Sequence, residues 1–274
     1  MKMNKIAPIF LITALLVGCS SDDTNDSLPV EEHNYFPLTT GNSWSYNNNR
    51  QAEGQPATTG SETMTVADST ETNGTVYYDL NSDNSSNIGF ATSTFSKGEL
   101  SKVNGKLVYS GELELVFIGT GAEPLTIPIN NAVVFNGSAA AGTELYNFSD
   151  SMEQEITVQG QTIPITINYT LSTHNVEVLE TYTVGGVEFE DVLAADMLLT
   201  ASAEASLGPV SATFMDEQEI ASAVNYYAEG VGMIYSDVSF DAEFEDLTQF
   251  GFPEIPPIHI VSSQEITTWT VVEE

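Results

Sequence analysis

From residue 163 to 169 the chain reads Ile-Pro-Ile-Thr-Ile-Asn-Tyr, apolar and polar residues in strict turn, and Glu155-Ile156-Thr157-Val158 does the same just upstream. A period of two sorts side chains onto the two faces of an extended strand, and a helix has no use for it. Gln159-Gly160-Gln161 between the two runs reads as a hairpin turn. Similar segments recur along the chain. Trp44 and Tyr46 share one strand face, and residues 64–66, 75–80, 106–109 and 113–118 are further β-like runs. The run 176–184 ends on Gly185-Gly186, a pair suited to a two-residue hairpin turn, and 236–244 and 266–272 read as closing strands. Strands punctuated by turn signals at this spacing predict an all-β fold: a curved antiparallel sheet, half-barrel or sandwich, with at most one or two short helices.

Two stretches also carry helical features. Phe189, Val192, Leu193 and Met197 have i, i+3, i+4 spacing, but they follow the Gly-Gly turn and are read as a strand. Residues 216–227 lack Gly and Pro and fit helix or strand equally. The Pro-rich segment 252–258 is unsuited to a central strand and reads as an exposed connection.

The chain has 39 acidic residues against 6 Lys and Arg, a formal net charge of −33, and no Lys or Arg from Leu107 onward. Nucleic-acid binding neutralises phosphates with basic side chains, so this balance excludes it. An anionic membrane surface would repel the body in the same way. Cys19 is the single cysteine, so no disulfide forms within the chain. A domain of this size can build its core without such staples.

Lys2 and Lys5 precede an apolar stretch, Ile6 to Val17, and the small Gly18. These are the parts of a secretory signal. The stretch is about twelve residues, short of the roughly twenty that span a bilayer as a helix. Leu16-Val17-Gly18-Cys19 resembles the lipobox of bacterial lipoproteins, which implies cleavage before Cys19 and acyl chains on that residue as the membrane anchor. Ser20-Ser21-Asp22-Asp23 resembles the acidic export signal that sends Bacteroidetes lipoproteins to the outer face of the outer membrane. The expected organisation is a signal peptide at 1–18, a flexible acidic tether at 19–37 and one β-rich domain at 38–274.

Two further stretches carry a resemblance. Tyr35-Phe36-Pro37-Leu38 with Gly41-Asn42-Ser43-Trp44 resembles the mature start of uncharacterised Bacteroidetes outer-membrane lipoproteins. Tyr226-Tyr227-Ala228-Glu229-Gly230-Val231-Gly232 resembles their recurrent strand near the end. The resemblance implies a strongly curved antiparallel sheet, like the half-barrels of lipoprotein carriers.

Candidate chemistry is thin. His33, His174 and His259 are read as isolated surface histidines, in the tether, between strands and beside the Pro-rich loop, with no nucleophile motif beside them. Zinc-ligand spacing is missing. Asp79, Asn81 and Asp83 place oxygen at alternate positions, as the start of a calcium loop does, although Asn84 stands where Gly is usual and Phe90 where Glu is. A polar hairpin turn explains them more simply. Asp237, Asp241, Glu243 and Glu245 read as a solvated strand face with the same weak calcium potential. Asp26-Ser27-Leu28, Asp68-Ser69-Thr70 and Asp150-Ser151-Met152 resemble the O-glycosylation triplet of Bacteroidetes.

The functional expectation is a non-enzymatic surface lipoprotein with a binding or envelope-structural role. It has no catalytic residues and no cofactor beyond the weak calcium candidates. Its partners are the membrane, through the lipid, and a hydrophobic ligand or a protein. A carrier of a hydrophobic ligand in a half-barrel groove is the alternative, and a glycan-processing enzyme the third reading.

Overall fold

A computed structural model describes residues 33–83, 89–115, 125–158, 161–207, 210–251 and 254–272. The signal peptide, Cys19, Asn84 of the calcium motif, the Gln159-Gly160 turn and the Phe252-Pro253 pair lie outside the described residues.

Alternation produces strands throughout. They are β1 (Ser43–Ala52), β2 (Thr58–Thr72), β3 (Thr75–Ser82), β4 (Glu99–Val103), β5 (Lys106–Leu115) and β6 (Leu125–Asn136), then β7 (Thr143–Val158), β8 (Gln161–Val184), β9 (Val187–Leu207), β10 (Val210–Ala228), β11 (Gly232–Ala242) and β12 (Ile258–Thr270). All pairings are antiparallel in the order β6-β5-β4-β3-β2-β1-β12-β11-β10-β9-β8-β7. Sequence neighbours pair along the whole order, and β12 returns to β1 to join its two halves. The two edges, β6 and β7, are consecutive in the chain, so the sheet curls into a nearly closed barrel. Of the folds expected, the curved sheet is the one formed.

One face points inward. On β1 the buried positions alternate as Trp44, Tyr46 and Asn48, and on β8 as Ile163, Ile165, Ile167, Tyr169, Leu171, Thr173 and Asn175. β9 lines the interior with Ala195, Leu199, Ala201, Ala203 and Ala205. Such small side chains let the opposite wall, Leu113 and Leu115 of β5 with Leu125 and Ile127 of β6, join the same contiguous core.

Several expectations are corrected. Residues 163–169 and 176–184 belong to one 24-residue strand, interrupted only by a register shift between Asn175 and Glu177. His174 therefore lies within β8 and not between strands. Residues 216–227 are strand. The closing strand begins at Ile258, eight residues before the expected Ile266. Tyr35 and Phe36, placed at the end of the tether, are 3% and 0% exposed, so the packed body starts ahead of Leu38.

The one α-helix among the described residues, α1 (Phe90–Phe95), is too short to be stable alone. It exists because β2 and β12 hold its first turn. The Ala91 and Thr92 amides donate to Gln264 Oε1 at 2.7 and 3.3 Å, and the Thr92 hydroxyl donates to Glu62 Oε2 at 2.6 Å. A Cβ at Gly89 would come within 2.3 Å of Glu62 Oε2 and 2.4 Å of Gln264 Nε2, so only glycine fits beside that grip.

Candidate functional site

Following the ladder pairings across the inside of the barrel gives one row: Asn48, Gln264, Ser236, Asn225, Ala195 and Asn175, from β1 through β12, β11, β10 and β9 to β8. Every residue in it is buried, and all but Ala195 are polar. Buried polar groups need partners, and the ends of the row have them. Gln264 donates to Asn48 Oδ1 at 3.1 Å while accepting from α1. Asn175 binds the backbone of β6 and its following turn: its Nδ2 donates to the carbonyls of Asn136 and Ala139, and its Oδ1 accepts from the Asn136 amide.

The middle of the row is unsatisfied. Asn225 Oδ1 and the Ser236 hydroxyl are buried without a hydrogen-bond partner. Asn225 borders a cavity of about 40 Å³ between α1 and the inner wall, lined also by Phe95, Ile129, Val134, Leu171 and Met197. An orphaned buried polar group costs about 1–3 kcal/mol, whereas an apolar group of similar shape costs nothing of that kind. Asn225→Leu is therefore expected to leave the unfolding free energy unchanged or raise it by about 1 kcal/mol, as read by urea denaturation. A loss of 2 kcal/mol would mean that Asn225 has a partner in solution.

On the outside, the adjacent ladder row runs Glu177, Ala194, Tyr226, Tyr235, Glu265 and Asn47. Tyr182 of β8 stacks on Tyr226 of β10 with ring centroids 4.4 Å apart and planes 14° from parallel. β9 lies between those strands, and Ala194 carries nothing beyond its Cβ to keep the rings apart. Tyr235 completes a trio, 5.9 Å from Tyr226 and 6.2 Å from Tyr182. Burial raises all three phenols, with neighbouring negative charge adding to it: Tyr182 is pushed up to about 12 by burial and by the other two tyrosines, Tyr226 by burial and Glu177, Tyr235 by burial and Asp237. The rings stay neutral across the physiological range.

The three histidines each bond a carboxylate. His33 Nδ1 meets Glu229 at 2.7 Å and His174 Nδ1 meets Asp196 at 2.8 Å. His259 bonds Asp241, which also accepts from Ser239. Partial burial pushes the Asp241 carboxyl up, but the bonds from Ser239 and His259 outweigh it and hold it below the ordinary value. The bond to Asp241 raises His259. Here the carboxylate sits between serine and histidine. The serine proton points at Asp241 and not at an imidazole, which is the wrong order for an activated nucleophile.

The calcium candidates do not converge. Asp79 and Asn81 lie on β3 as exposed alternate residues, which a strand spaces by about 6.6 Å. Asp83 Oδ1 accepts the Thr63 amide at 3.1 Å. Glu243 and Glu245 lie past the end of β11, where their amides donate to Gln218 and to the Phe214 carbonyl. Among the described residues no group of three or more His, Cys, Asp or Glu is placed to hold a metal. The Asp68 and Asp150 triplets lie on β2 and β7, each Asp accepting the amide of the following Ser at 2.8 Å.

The two sequence stretches that carried the resemblance meet in space. Phe36 stacks on Trp44 at 4.9 Å, and Tyr227 sets its ring edge-on to Phe36 at 6.0 Å. Trp44 Nε1 donates to the Val231 carbonyl, the Tyr46 hydroxyl to the Met233 carbonyl, and the Gly230 amide to Asn34. Neither the inner polar row nor the tyrosine trio was found from sequence. Their members come from six strands, and only the finished register aligns them.

No family model matches the chain, and no curated protein matches it. Two crystal structures are similar over 86% of this chain and 98% of theirs. One is of a candidate lipoprotein from Parabacteroides distasonis ATCC 8503, 10% identical with a TM-score of 0.35. The other is of a candidate exported protein with a YmcC-like fold from Bacteroides fragilis NCTC 9343, 8% identical with a TM-score of 0.38. Likeness this loose transfers no residue and no role.

Proposed function

We propose that this chain is a non-catalytic lipoprotein, held by acylated Cys19 at the outer face of the outer membrane, whose β body presents its outer wall to a partner. Among the described residues the inward-facing side chains pack into one contiguous core, and this carries the reading. Ligand pockets for small molecules run to about 300–1,000 Å³. The space beside Asn225 is about 40 Å³, too small for an acyl chain. The order at Ser239, Asp241 and His259, with the serine bonded to the carboxylate and not to the imidazole, supports the non-catalytic part.

Full-length protein purified in detergent is expected to give no saturable fluorescence with N-phenyl-1-naphthylamine beyond a detergent blank. Organic extraction is expected to release no lipid apart from chains covalently bound at Cys19. One equivalent of extractable lipid would overturn the filled-barrel reading in favour of a carrier. Cys19→Ala should move the protein from the envelope to the soluble fraction, and unchanged sedimentation with membranes would refute the anchor.

A further inference from the structure

We infer that the tyrosine trio on the outer wall is a docking platform for a basic segment of a protein partner, whose Lys or Arg side chains lie over the rings of Tyr182, Tyr226 and Tyr235. This rests on the partner-binding reading above and names the partner's chemistry. Three tyrosine rings grouped on the outside of a sheet, each keeping part of its surface in water, form an amphipathic surface of the kind enriched at interfaces. Their environment selects the sign of the ligand. Glu177 and Glu265 stand at the two ends of the Tyr226–Tyr235 row, and Asp237 lies near all three rings. The three carboxylates are exposed. Among the described residues none of them is in an ion pair.

Among the described residues no lysine or arginine is paired with them. β7 to β12 contain no Lys or Arg, so these strands bring no permanent positive charge to the wall, and a basic partner meets no competing lysine or arginine from them. A cation over a neutral tyrosine ring is attracted by the ring's negative face, and the flanking carboxylates add to that attraction while repelling acidic competitors. Size fits as well. From Glu177 on β8 to Glu265 on β12 the row crosses four strand spacings, about 19 Å. An extended hexapeptide covers about 20 Å.

The probe is hexa-arginine, titrated against full-length protein at 150 mM NaCl with tyrosine-ring NMR and calorimetry. Saturable binding that shifts the Tyr182, Tyr226 and Tyr235 rings is expected, and Tyr182→Leu with Tyr226→Leu should weaken it about tenfold. Glu153→Gln with Glu155→Gln, which removes two charges from β7, should leave affinity within twofold. Tyr226→Phe keeps the ring and should bind as the parent does, which covers the event that the leucine variant fails to fold. Equal losses in the leucine and glutamine variants would reduce the effect to net charge and overturn the platform. So would spermine binding as tightly as the peptide, because a small free cation would then be sufficient. Lipid found inside the barrel would refute the carrier-free reading and leave this titration unaffected, so the two failures are distinguishable.

Discussion

Gly232→Ala is expected to cost about 3–5 kcal/mol and to lower the melting temperature by roughly 10 °C. Gly232 has φ +120°, a conformation an L side chain adopts only under strain. A Cβ there would stand 2.6 Å from Trp44 Nε1 and 3.2 Å from the Phe36 ring. Neither neighbour can yield. Trp44 is fully buried, stacked on Phe36 and tied to the Val231 carbonyl, and Phe36 also touches Phe95 and Tyr227. Gly230, two residues earlier, provides the control: its φ is +70° but nothing lies within 4 Å of its Cβ position, so Gly230→Ala should cost only about 1 kcal/mol of backbone strain. Denaturant melts of the two variants decide. If Gly232→Ala costs no more than Gly230→Ala, the close packing on Trp44 is wrong. Combining Gly232→Ala with Trp44→Phe, which removes part of the opposing ring, should cost less than the sum of the two, because the clash is shared.

The Gly232–Trp44 contact gives the Tyr35–Trp44 and Tyr226–Gly232 stretches a physical meaning. They are distant in sequence, yet each supplies what the other needs: a flat aromatic stack on one side, a strand start with no Cβ on the other. What was legible in the chain was whatever a local pattern could encode. Ile163 to Tyr169 alternate because one face of β8 is core, and Trp44 and Tyr46 are both fully buried, as their spacing required. The pattern failed where register shifts interrupt it. On β10 the shifts fall between Thr213 and Gln218 and again near Glu219–Ala221, so buried residues come as adjacent pairs, Phe214 with Met215 and Ile220 with Ala221. Those pairs break the strict alternation of a strand, so residues 216–227, which lack Gly and Pro, carry no clean period of two to decide between helix and strand. Val192 to Ala195 are all buried because the β9 wall is covered on its outer side as well, where Tyr182 meets Tyr226 over Ala194. The inner polar row was invisible for a different reason. Asn48, Asn175, Asn225, Ser236 and Gln264 are unremarkable one at a time, and only the ladder brings them to one level. Helix α1 depends on the same long-range register, since its first turn is held by a glutamine more than 170 residues away.

Asn175→Ala is expected to cost about 3 kcal/mol, and the damage should be local. The barrel's two edges do not share a ladder. Instead the β6 edge is fastened by side chains: Asn175 makes its three bonds to Asn136 and Ala139, Thr173 donates to the Val133 carbonyl at 2.6 Å, and Tyr146 reaches the Asn130 carbonyl at 3.4 Å. Asn175 is 1% exposed, so truncation leaves its backbone partners without a replacement while β6 stays in place. Thr173→Val removes one bond and keeps the volume, and should cost about 1 kcal/mol. Asn175→Asp is the sharper case. It replaces the amide donors with a carboxylate facing the carbonyls of Asn136 and Ala139, so this folded-state carboxyl will sit above its unfolded value. A group raised in this way favours the folded protein while protonated and loses that contribution as pH rises through the folded pKa. The Asp variant should therefore regain stability relative to the parent as pH falls through that raised folded pKa, with the gain complete by about pH 4, the unfolded value. Hydrogen exchange separates seam opening from global unfolding: in Asn175→Ala the β5 and β6 amides should exchange faster, with the β1 and β12 amides protected as in the parent. A uniform loss of protection would mean that the barrel has no separable seam. With the seam open, the apolar inner wall and a bare strand edge face water together. The variant should bind the dye ANS and form dimers at high concentration, whereas Gly232→Ala should acquire neither property below its melting temperature.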